Sequence, residues 1–215
     1  MDQLEEHTSR RSFLTHVAGM GVVVALGPLP LQADPKWDVS WLETVRKAKH
    51  RVVFDAPTPG AVLDLAARWY DNLDKAYGKS AGRACAVLNL RTRSTYMGLA
   101  DPMWQKYPVG EDAKVTDPET NTPARRNLEL RVSEEKTAMG YGSIEHLQSL
   151  GAIVIVCDFA LGHLANRLAK ATSAKGEDVH TELRANLVRG AYLVPSGIFG
   201  AAESQNAGCA FMPAP

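Results

Sequence analysis

The stretch Gly151-Ala-Ile-Val-Ile-Val-Cys-Asp-Phe-Ala-Leu-Gly-His-Leu-Ala-Asn-Arg167 decides how the chain reads. It opens with an apolar, β-branched run, Ala152 to Val156, the pattern of a strand covered on both faces. It closes with Leu161, Leu164, Ala165, Leu168 and Ala169, which share one face of a helix. Cys157 lies at the junction, at the carboxyl end of the strand and beside the amino end of the helix. Unpaired amides and the positive end of the helix dipole favour a thiolate there, and the thiolate is the nucleophilic form. Cys157 is therefore the candidate catalytic residue, with small apolar filling of a strand end as the alternative role.

Working outward, the same two patterns recur. Arg51 to Asp55 reads as a first strand, followed by a Pro57–Pro59 turn with Pro59 at the first helical position. Val62, Leu65, Ala66, Trp69 and Leu73 then mark a helix that Gly78 stops. Ala84 to Leu90 is a second strand, and Ala152 to Val156 the third. Val179, Leu183 and Leu187 mark a further helix. Ala191 to Val194 is a fourth strand, Ile198 to Ala207 a helix, and Cys209 to Met212 a last strand. A short helix from Ser40 packs Trp41 and Val45, and another segment from Ser133 or Ser143 leads into Gly151. Strands alternating with helices give an α/β fold: three layers, with a doubly wound, five-stranded, mostly parallel sheet. The expected strand order is the flavodoxin-like 2-1-3-4-5. Ligands in such sheets bind where the order reverses, here between strands 1 and 3. That order places Asp55 and Asp158 beside Cys157 as substrate-binding residues. Asp158 is also a candidate helix N-cap, although its charge would oppose a thiolate.

Residues 92–142 interrupt the rhythm with Pro, Gly, Asp, Asn and Thr. An insertion of this length in a compact domain is often a functional loop. Its Tyr96, Met97, Met103, Trp104 and Tyr107 either cover a site or pack down as a surface excursion.

The amino terminus supplies an address. Ser9-Arg10-Arg11-Ser12-Phe13-Leu14 resembles a twin-arginine export motif, and an apolar core from Val17 to Leu26 precedes an exit at Leu31-Gln32-Ala33. That core is far shorter than the ~20 residues of a membrane span. Residues 1–33 thus read as a signal peptide and 34–215 as one domain, periplasmic or otherwise extracytoplasmic, with no stable membrane anchor after cleavage. The twin-arginine translocase would be a partner during export.

Totals narrow the rest. A formal net charge of +0 over 215 residues gives no reason to expect nucleic acid as a partner. Three cysteines without CxxC spacing indicate neither a zinc knuckle nor a disulfide scaffold. Cys85 and Cys209 read as core, and Cys209 is too far from Cys157 in the expected order for a disulfide. His163 follows Cys157 on a different helix face, and His180 reads as solvated. No His/Cys/Asp cluster suggests a metal, and no glycine-rich loop suggests a nucleotide; Pro57 and Pro59 remove amides that a phosphate would use. No cofactor is expected.

From His50 to Phe211 the chain resembles the DsrE-like sulfur-relay family, in an exported branch. The likeness is carried by Ser143-Ile-Glu-His-Leu-Gln-Ser-Leu-Gly-Ala-Ile-Val-Ile-Val-Cys-Asp-Phe-Ala-Leu161 and by Glu182-Leu-Arg-Ala-Asn-Leu-Val-Arg-Gly-Ala-Tyr-Leu-Val-Pro-Ser-Gly197. The resemblance implies that Cys157 carries a persulfide and exchanges sulfane sulfur with a partner protein thiol, donor or acceptor. It also implies a homo-oligomer. The 92–142 insertion and the compartment depart from the compact cytoplasmic members. A non-catalytic small-molecule-binding protein, or a protein-interaction subunit, is the alternative on the same scaffold.

Overall fold

The computed structural model describes residues 37–78 and 84–214; the signal-peptide reading of residues 1–33 lies outside them. The first helix, α1, is Trp41–Lys47, and it buries Trp41, Leu42 and Val45. Strand β1 is His50–Ala56 and helix α2 is Val62–Tyr77. The helix starts after the two prolines, whose segment forms bends, and not at Pro59 as the sequence suggests. Gly78 ends it with a φ of 70°, a left-handed conformation that costs glycine little. Strand β2 is Ala84–Leu90.

The insertion is more structured than its composition suggests. A 3-10 helix spans Thr92–Gly98, followed by α3 (Asp101–Lys106), α4 (Val109–Ala113) and a small antiparallel pair, β3 (Thr116–Asp117) with β4 (Thr122–Pro123). Two short helices come next, α5 (Glu134–Ala138) and α6 (Ile144–Ser149), capped by the hydroxyls of Ser133 and Ser143. Then follow β5 (Ile153–Cys157), α7 (Asp158–Thr172), α8 (Gly176–Ala185), β6 (Tyr192–Val194), α9 (Gly197–Asn206) and β7 (Ala210–Pro213).

The main sheet is parallel throughout, and its order is β6-β5-β2-β1-β7. The α/β class is as the sequence implies, but the order is not 2-1-3-4-5. The second strand, β2, lies between the first and the third. All seven of its residues are buried, whereas β1 is only partly covered at His50 and Arg51. The strand with no solvent-tolerant position takes the middle of the sheet. The two-residue period divides it cleanly. Ala84, Ala86, Leu88 and Leu90 join the core beneath α2, α6, α7 and α8. Cys85 and Val87 join the smaller core beneath α1 and α9.

The insertion's aromatics belong to the larger core. Tyr96, Met97, Met103, Trp104 and Tyr107 are all buried in it, so they pack down and do not cover a site. Asn127 staples the segment by donating from Nδ2 to the carbonyls of Met97 (2.7 Å) and Leu99 (2.9 Å). Lys106 and the Tyr107 hydroxyl bond Glu182 of α8, which holds that carboxyl below its ordinary range.

Candidate functional site

The crevice follows from the order. Connections after β1, β2 and β5 run over the α2–α7 face, whereas the one after β6 runs through α9 on the other face. The chain therefore diverges between the carboxyl ends of β5 and β6, which is where open α/β sheets bind ligands. A cleft of about 720 Å³ opens there. Cys157 lies on it, beside β6 and not beside β1; Cys157 pairs in register with Val194.

Cys157 itself caps α7. Its Sγ accepts the amide of Ala160 at 3.3 Å, so the sulfur sits over the first turn of a fifteen-residue helix. Asp158 is not the cap. It is the first helical residue, and its carboxylate is taken by His180 Nε2 at 2.9 Å and Arg184 Nε at 3.3 Å. His180 is thus a partner of Asp158 and not a solvated side chain, and Asp158 does not line the cleft.

Asp55 is likewise not on the cleft wall; it acts one residue removed. Asp55 and Asn89 are in register on β1 and β2. The buried Asp55 carboxylate accepts Asn89 Nδ2 (2.9 Å) and takes a two-pronged bond from Arg91, Nε and Nη2 each at 2.7 Å. This carboxylate, opposed by partial burial, holds the Arg91 guanidinium above its ordinary range. Asn89 Nδ2 also donates to the Gly197 carbonyl at 2.9 Å, which ties the start of α9 to the sheet. A Cβ on Gly197 would come within 2.5 Å of Arg91 Cβ and Cδ, so a glycine is what lets the Arg91 side chain lie against α9. Arg91 lines the cleft.

Several of the remaining lining residues are basic. Arg93 follows from the 3-10 helix, Lys114 from the end of α4, and His163 and Arg167 from α7. Asp112 is the one carboxylate among the lining residues, and it binds Arg167 through two bonds of 2.8 Å. His163 shares the cleft with Cys157 but packs edge-on to Phe159, at 4.8 Å between ring centres. At the mouth stand Phe159, 69% exposed, and Ile198, 80% exposed. Neither Trp104 nor Tyr96 caps this cleft.

The other thiols are elsewhere. Cys85 and Cys209 lie in the α1–α9 core, where burial pushes Cys85 up to about 12 and Cys209 up to about 11. All three cysteines are free.

Sequence reasoning missed Arg91, Arg93, Lys114 and Arg167. The signal was present in Leu90-Arg91-Thr92-Arg93, two arginines immediately beyond a strand's carboxyl end.

Fold and cleft together define a class: a three-layer α/β protein with a cysteine and a group of cations where its connections diverge. Comparison of the chain with protein-family models, with curated proteins and with solved structures finds no match in any of the three.

Proposed function

We propose that this protein handles sulfane sulfur, with Cys157 as the persulfide-carrying nucleophile, and that it is an exported DsrE-like protein. The observation that carries the reading is the position of Cys157: it is the thiol on the cleft, while Cys85 and Cys209 lie in core and stay protonated at neutral pH. The Cys157 thiolate attacks the outer sulfur of a persulfide donor, R–S–SH. The new bond is Cys157 S–S, the donor's S–S bond breaks, and R–S⁻ leaves with the electron pair. Attack by an acceptor thiolate on the outer sulfur reverses the process and frees Cys157. No outside oxidant or reductant enters. The start of α7 and the surrounding cations stabilise negative charge brought to this end of the sheet. A partner protein thiol supplies or accepts the sulfur, and the chain assembles as a homo-oligomer outside the cytoplasm.

Treatment with inorganic polysulfide, followed by intact-mass and peptide mass spectrometry, is expected to add one sulfur atom to the Cys157 peptide. Cys157→Ser is expected to abolish the adduct. An adduct that persists in Cys157→Ser would refute the assignment.

A second reading has one observation in its favour. Cys157 is only 4% exposed, and its sulfur is engaged as a helix cap. On that reading the cleft belongs to a non-catalytic binding protein, and Cys157 is structural.

A further inference from the structure

The cleft carries more positive charge than its own residues balance. Arg91 is committed to Asp55 and Arg167 to Asp112. Arg93 and Lys114 are exposed and line the same cleft, and among the described residues neither side chain makes a hydrogen bond or ion pair. Both are nevertheless set on fixed backbone. The Arg93 amide donates to the Pro57 carbonyl at 2.9 Å. Lys114 closes α4 in the left-handed region, with a φ of 57°. Thr92, between the two arginines, is also left-handed, with a φ of 56°. A β-branched residue seldom adopts that conformation.

The opposite wall adds neutral donors. Ser196 Oγ accepts the Phe199 amide at 3.2 Å, whereas the Gly197 and Ile198 amides meet no acceptor among the described residues. A guanidinium, an ammonium and backbone amides thus surround the cleft from different elements. A flat carboxylate presents its acceptors in one plane. A tetrahedral group presents them in three dimensions, which suits donors arriving from several directions.

We propose that the cleft is a binding site for a tetrahedral oxyanion, a phosphate or sulfo group, held between Arg93 and Lys114 over the start of α9. The proposal is independent of the sulfur-carrier reading, because neither cation depends on Cys157.

The test is calorimetric titration of the full chain with inorganic phosphate, inorganic sulfate and methanesulfonate, at an ionic strength fixed by chloride. Saturable one-to-one binding of at least one of them is expected. Arg93→Ala and Lys114→Ala are each expected to weaken it roughly tenfold, the scale of one charge-assisted hydrogen bond. Lys75→Ala, on the surface of α2, is expected to leave it unchanged. Tighter binding of phosphate assigns the site to phosphate compounds, and tighter binding of sulfate or methanesulfonate to sulfo compounds. Absence of saturable binding for all three ions would overturn the proposal. So would binding that both cleft substitutions leave intact. Both substitutions are at exposed positions, and circular dichroism checks that the variants are folded. Running the titration on Cys157→Ser keeps the two readings apart. Saturable oxyanion binding that Arg93→Ala and Lys114→Ala weaken is expected in that background too, whatever the polysulfide experiment returns.

Discussion

Asp55→Ala is expected to lower the unfolding free energy by about 3 kcal/mol, the lower end of the range for removing one partner of a buried ion pair. The carboxylate organises three groups. It takes both prongs of Arg91, holds one Asn89 hydrogen, and through Asn89 secures the first carbonyl of α9. Its removal leaves a guanidinium at the floor of the cleft with no counter-charge. The lower end applies because the Arg91 side chain is 31% exposed and can recover some hydration. Asp55→Asn keeps the shape and one acceptor, so its loss is expected to be smaller. Urea denaturation of both variants measures the difference. A loss under about 0.5 kcal/mol for Asp55→Ala, the usual size of an ordinary surface substitution, would contradict this account of the pair.

Trp104→Ala is expected to cost about 3–5 kcal/mol, as for other large aromatic truncations in cores. Trp104 is fully buried and meets Tyr96 edge-on, with ring centres 5.4 Å apart. The size of the effect separates two roles for the 92–142 insertion. A covering loop would lose little stability on truncation, and its ligand affinity would change instead. A core element loses stability throughout. Trp104→Phe supplies the control. It keeps most of the ring and removes an Nε1–H that finds no acceptor among the described residues, so its cost is expected to stay below about 1.5 kcal/mol. Equal stability of Trp104→Ala and the unaltered protein would return the insertion to the status of a loose excursion.

What the sequence made legible was local. Ala84 to Leu90 is continuous apolar sequence apart from Asn89, and it is a strand over those same residues. The change of period at Cys157 marks the strand-to-helix junction to within a residue. Strand order is a different kind of information. It depends on which strand can bear burial on both faces, and β1 and β2 look alike until the exposure of His50 and Arg51 is known. The wrong order still placed Cys157 on the crevice, because a third strand's carboxyl end borders a divergence in either arrangement, next to β1 in one and β6 in the other. It misplaced Asp55 and Asp158. Both are bound to cations, and neither faces the cleft. Of the cationic lining, Arg91 and Arg93 left a local trace just beyond a strand end, whereas Lys114 and Arg167 come from separate elements that only the tertiary fold brings to the cleft.

On the proposed function, Cys157 is the reactive sulfur, reached through the cleft. The most direct test of that claim is residue-resolved alkylation of the native protein with a small reagent such as iodoacetamide at neutral pH. Cys157 is expected to label in the folded state. Cys85 and Cys209, away from the cleft and held protonated with values near 12 and 11, are expected to label only after denaturant is added. Labelling of all three cysteines only on unfolding would contradict the claim and leave Cys157 as a structural cap on α7.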